Sequence, residues 1–177
     1  MIDLPFDFNT ERTEFADSFY AVIGRLLAFA TRFESHCQAL AIVMKLESAL
    51  HDGIISFDND GDLELLVKKM TQRKLYDNIK NIIVGFGLPN DISLAMDNAR
   101  KARNEVAHSL TLGIEDRVED DEKRAIILQQ IRDLVFDIAE GDRLVCTFLH
   151  LETNEHLPTL AYIQNYSDMI VNWVCEI

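Results

Sequence analysis

From Phe15 to Met44 the apolar residues fall at steps of three and four: Phe15, Phe19, Val22, Leu26, Phe29, Phe33, Cys37, Leu40 and Met44. A strand sends successive side chains to opposite faces, so it cannot gather this set on one side. A helix stacks it into a single stripe. The spacing predicts one long helix, opened by Thr10 as N-cap with Glu11 and Glu14 in its first turn, ending near Leu50 and with room for a bend. So strict a recurrence also fits a seam between two copies of the chain. Only 7 glycines and 3 prolines occur in 177 residues, so few tight turns are available and an all-β sandwich or barrel is disfavoured.

Further helices are legible downstream. His51-Asp52-Gly53 breaks the first one, and Phe57 to Asp62 reads as a loop. Its residues Asp58, Asn59, Asp60 and Asp62 invite a calcium reading. The glycine is misplaced for an EF-hand loop and no bidentate glutamate follows at the required distance, so a solvated acidic turn is the better account. Asp62 then caps a helix through Leu63, Leu65, Leu66 and Met70, and a shorter helix runs from about Lys74 to Val84 before Gly85-Phe86-Gly87-Leu88-Pro89-Asn90. Another starts at Asn90 or Asp91 and is stopped by Gly113, with a charged loop over 114–122. A long helix from about Glu122 to Leu151 turns Ile127, Ile131, Leu134, Ile138, Val145 and Phe148 inward, with Gly141 as a kink or packing contact. Pro158 and Thr159 begin a last helix that ends at Trp173. The sum is an all-α compact bundle of five to seven helices, one domain over 1–177 with 1–10 as an N-terminal extension.

Composition narrows the function. The hydrophobic share of 48% and the charged share of 27% are those of a globular protein. A formal charge of −13 repels phosphate and argues against a broad nucleic-acid footprint, although it permits a small basic patch. Cys37, Cys146 and Cys175 are odd in number and widely spaced, with no CxxC or CxxH pattern, so the spacing suggests neither a zinc site nor a disulfide framework. Reduced thiols and a cytoplasmic setting are the simplest expectation. The acidic start, Met1 to Asp7, is unlike a signal peptide, and the apolar run Tyr20–Ala30 carries Arg25 and is too short to span a bilayer.

The chemistry-bearing residues concentrate on the helix from Asp91. Its apolar stripe is Ile92, Ala95, Ala99, Ala102, Val106 and Leu110, with small residues in the middle that admit a close neighbour. At about 100° per residue Arg103 lies about 40° from the line through Ala99, at the edge of the buried face. A guanidinium there requires a carboxylate or carbonyls, and Glu34 and Glu47 on the first helix are the candidates. Asn104 and His108, four apart, share a face towards solvent or a partner. His108 stands near the helix C-terminus, where the dipole favours its protonated form. Arg103 and His108 are separated by about 140°, which favours a site pooled from two copies across a two-fold axis. Taken alone, such an Arg is most simply a salt-bridge partner and such a His a dipole-compensating surface residue. Of the other histidines, His36 reads as a satisfied packing histidine, while His51, His150 and His156 fall at helix ends or loops.

Arg103-Asn104-Glu105-Val106-Ala107-His108, preceded by Ala99-Arg100-Lys101-Ala102, resembles the Arg-x4–6-His motif of the HEPN superfamily, with Asn104 as the polar residue directly after the Arg. The likeness is specific over about ten residues and loose over roughly 11–177. It implies a homodimer across the motif helix and a metal-independent endoribonuclease with no cofactor, of the kind found as toxins of toxin–antitoxin pairs or in antiviral abortive-infection defence. It implies that His108 acts as general base or acid, that Arg103 offsets charge on phosphate, and that Asn104 orients imidazole or phosphate. Arg100 and Lys101 would bind RNA, and the expected partners are a second copy, RNA and a cognate antitoxin, with no membrane. The alternatives are a non-catalytic dimeric interaction or nucleotide-sensing module, favoured by the acidic surface and the amphipathic first helix, and a structural partner or inhibitor whose acidity matches a basic protein.

Overall fold

The computed structural model of the chain describes residues 14–54, 60–110 and 121–176. Six helices and no strand are found among them: α1 Glu14–His51, α2 Asp60–Thr71, α3 Leu75–Phe86, α4 Asn90–His108, α5 Asp121–Glu152 and α6 Leu160–Cys175. The Thr10 cap, the loop residues Asp58 and Asn59, Gly113 and most of the charged loop lie outside the described residues.

The long apolar stripe forms as its period dictates. Phe19, Val22, Leu26, Phe29, Phe33, Cys37 and Leu40 are all buried, and Met44 packs partly buried against the same core. α5 is the hub, laid against α4, α6 and α1, while α1 also receives α3. From α5, Ile127, Ile131, Leu134, Ile138 and Val145 are buried, and Phe148 stacks on Phe86 of α3 with ring centroids 4.6 Å apart.

Gly141 is a packing contact. A Cβ built there would stand 2.3 Å from Ala99 Cβ on α4 and 3.1 Å from Phe33 on α1. Three helices therefore meet at one glycine, which holds α4 close to both long helices. This sets the height at which the Arg103 helix crosses α1.

Helix ends follow ordinary capping chemistry with two departures from expectation. Gly87 closes α3 in the left-handed conformation, φ 59°, its N–H reaching Ile83 and Val84 carbonyls. Thr159 Oγ1 accepts from Tyr162 N at 3.3 Å and caps α6. At the other end of α6, Arg25 Nε donates to the Val174 carbonyl at 3.0 Å, and the same side chain also donates to the Glu176 carbonyl. The first departure is that Asp62 lies inside α2, which begins at Asp60, and so is not its N-cap. The second is that α4 ends at His108, well before Gly113. Both Ser109 N and Leu110 N turn back to the Glu105 carbonyl, at 2.8 and 2.9 Å, and this tight turn carries Leu110 into the core. Burial of that leucine stops the helix before the glycine is reached.

Candidate functional site

α4 presents its stripe of Met96, Ala99, Ala102 and Val106 to the core, which fixes where its polar residues point. Arg103 sits at the stripe's edge, with 21% of its side chain exposed. Its guanidinium pairs with Glu34 of α1, and Nη1 donates to Asn104 Oδ1 at 3.3 Å. Of the two carboxylates expected for this role, Glu34 fills it and Glu47 does not. Glu47 is thirteen positions further along α1, about 20 Å at 1.5 Å per residue. It is exposed and lies against Glu152 of α5, whose carboxyl is pushed up by that like-charged contact, by burial and by Coulombic repulsion from Glu47.

Asn104 is half-buried and engaged with Arg103. His108 is exposed in the last turn of α4, and no described residue makes a hydrogen bond or ion pair with its ring. Within one chain the motif therefore divides into an anchored half, Arg103 with Asn104 and Glu34, and an uncommitted imidazole.

The neighbouring cations are also engaged. Arg100 donates to Asp97 Oδ1 through Nε at 2.9 Å and Nη2 at 2.8 Å, and lies over the Tyr76 ring at 5.6 Å. Lys101 Nζ stands 2.8 Å from Asp97 Oδ2. Hydrogen bonds from Lys101 and Arg100 hold the Asp97 carboxyl below its ordinary value. Two carboxylates, Asp97 and Glu34, thus answer three cations.

A second polar cluster, which no sequence spacing announces, lies between α1, α5 and α6. Asp142 is completely buried. His36 Nδ1 approaches its Oδ1 at 2.7 Å, the Tyr166 hydroxyl donates to its Oδ2 at 2.5 Å, and Cys146 Sγ lies 3.3 Å from the same His36 nitrogen. A buried carboxylate requires such partners, so His36 is indeed a satisfied histidine. Burial, reinforced by Asp142, pushes the Cys146 thiol up to about 12, and the same two causes push the Tyr166 phenol up. As the site stands Cys146 is a thiol and a poor nucleophile. It also contacts the same ring nitrogen as Asp142, whereas a nucleophile–base–carboxylate relay uses both nitrogens. Two adjoining cavities open beside this cluster, of about 180 and about 340 Å³, sharing Arg32, Cys146 and His150 in their walls.

Set against family models, curated proteins and solved structures, the chain matches none.

Proposed function

We propose that the protein is a HEPN-like, metal-independent endoribonuclease that works as a homodimer, with Arg103, Asn104 and His108 forming its site and Arg100 and Lys101 helping to hold RNA. The observation that supports this reading is the division of the motif. Glu34 and Asn104 fix the guanidinium, while the imidazole one turn on has no hydrogen-bond or ion-pair partner among the described residues. An imidazole left free at an exposed helix end is available to a phosphodiester or to a second copy.

The chemistry is transesterification. His108 takes the proton of the 2′-hydroxyl, whose oxygen attacks the adjacent phosphorus. The P–O5′ bond breaks to leave a 2′,3′-cyclic phosphate, and the departing 5′-oxygen collects a proton from the partner's His108 or from water. Arg103 offsets the charge that develops on the non-bridging oxygens. A toxin or antiviral-defence role, with an antitoxin as partner and the cytoplasm as setting, goes with this reading.

A second reading is favoured by the same contacts taken differently. Arg103, Arg100 and Lys101 are all engaged by carboxylates on a chain of charge −13, which suits a non-catalytic dimeric interaction or nucleotide-sensing module. Cleavage of RNA in the presence of EDTA separates the two. The enzyme reading expects cyclic-phosphate products from wild type and a loss of about 10²-fold or more in His108→Ala and in Arg103→Ala. Equal rates in all three proteins, or no cleavage by wild type, leave the module reading in place.

A further inference from the structure

We propose that His36, Asp142 and Cys146 form a zinc site, with three protein ligands and a fourth position facing the cavity beside them. One nitrogen, one oxygen and one sulfur, His36 Nδ1, a carboxylate oxygen of Asp142 and Cys146 Sγ, all lie within 4.8 Å of one another. Asp142 and Cys146 are four apart on α5 and share a face, and His36 meets them from α1. Two rigid helices thus deliver the donors, which is how a bundle builds a metal site.

The distances suit a small insertion. Zinc bonds of about 2.0–2.3 Å set tetrahedral donors about 3.3–3.7 Å apart. Cys146 Sγ already stands 3.3 Å from His36 Nδ1, and the 2.7 Å His36–Asp142 contact has only to open by about 0.6 Å. On binding, the thiol gives its proton to solvent, and His36 ligates as a neutral imidazole through an unprotonated Nδ1 with its ring proton on Nε2.

The surroundings also suit a metal. The Tyr166 hydroxyl holds the second oxygen of Asp142, so the carboxylate is oriented from behind in the way outer partners orient metal ligands. A mixed N, O and S donor set matches zinc and excludes magnesium and calcium, which take oxygen alone. Zinc with one thiolate and one carboxylate is neutral overall, so the Arg32 guanidinium beside Cys146 does not oppose it. The roughly 340 Å³ cavity lined by Arg32, His36, Cys146 and His150 gives the fourth position access to water or a small anion. One turn beyond Cys146, His150 lies on this wall with its Nδ1 3.4 Å from Glu155 Oε2.

The full-length protein, stripped with chelator and dialysed, is titrated with Co²⁺ as a spectroscopic probe and then with Zn²⁺. The expected result is saturation at one equivalent, with thiolate-to-cobalt charge-transfer and tetrahedral d–d absorption, and displacement by Zn²⁺. Cys146→Ser, conservative and only half-buried, is expected to abolish the charge-transfer band while keeping the helical circular dichroism. Cys175→Ser keeps the band, and His36→Gln weakens affinity at least about tenfold. Zn²⁺ raises the melting temperature of wild type and not of Cys146→Ser. Absence of a saturable band in wild type, or an unchanged band in Cys146→Ser, overturns the site and leaves the cluster a hydrogen-bond network around a buried carboxylate.

Discussion

Arg103 is held where its helix position demands. A guanidinium at the edge of a core is costly unless a carboxylate meets it, and Glu34 does so from the neighbouring helix. The requirement for a carboxylate was legible in the sequence from the angle between Arg103 and the Ala99 line. The choice between Glu34 and Glu47 was not, since it depends on where α4 crosses α1. A comparable contact has a consequence for pH. Burial raises the Glu140 carboxyl, but hydrogen bonds from Arg143 and Ser167 outweigh it and hold the group below its ordinary 4.5. A depressed folded-state value stabilises the fold above the unfolded value, and that stabilisation is lost as pH falls below 4.5 through the folded value. Arg143→Met is therefore expected to cost about 1 kcal/mol at pH 7, with the difference from wild type shrinking towards pH 3. Chemical denaturation at the two pH values measures it, and a cost independent of pH contradicts this account of Glu140.

Among the elements, periodicity revealed the helices and their inward faces, while their ends and mutual contacts needed three dimensions. The stripes of α1 and α5 could be read because a repeat near 3.6 survives over many turns. The end of α4 could not, because the burial of Leu110 is a tertiary event that overrides the stop expected at Gly113. The Gly141 contact with Ala99 gives the sharpest test of how α4 is positioned. Gly141→Ala gains helix propensity of about 1 kcal/mol, yet places a methyl 2.3 Å from Ala99 Cβ. Net destabilisation of about 1–3 kcal/mol is expected. Adding Ala99→Gly is expected to recover at least about 1 kcal/mol of it after allowing for the single Ala99→Gly cost. Simple additivity in urea denaturation would mean that the two helices do not meet there. The His36–Asp142–Cys146 cluster escaped sequence reading for a related reason. Its members come from positions 36, 142 and 146, and only the packing of α1 on α5 brings them together.

At the scale of the whole molecule, one chain supplies an all-helical body, and no helix among the described residues is long and apolar enough to cross a membrane. It also presents a motif in which Glu34 and Asn104 engage Arg103 while no described residue bonds the His108 ring. On the proposed reading a second copy completes the site. Mixing inactive variants tests this most directly. Arg103→Ala and His108→Ala proteins are unfolded together, refolded at equal concentration and assayed on RNA with EDTA present. A site that takes Arg103 from one subunit and His108 from the other gives one intact site in each mixed dimer. Half the dimers are mixed, so about one quarter of the wild-type activity returns. If the mixture stays as inactive as its components while wild type cleaves RNA, the site lies within a single chain and the shared-site account is wrong.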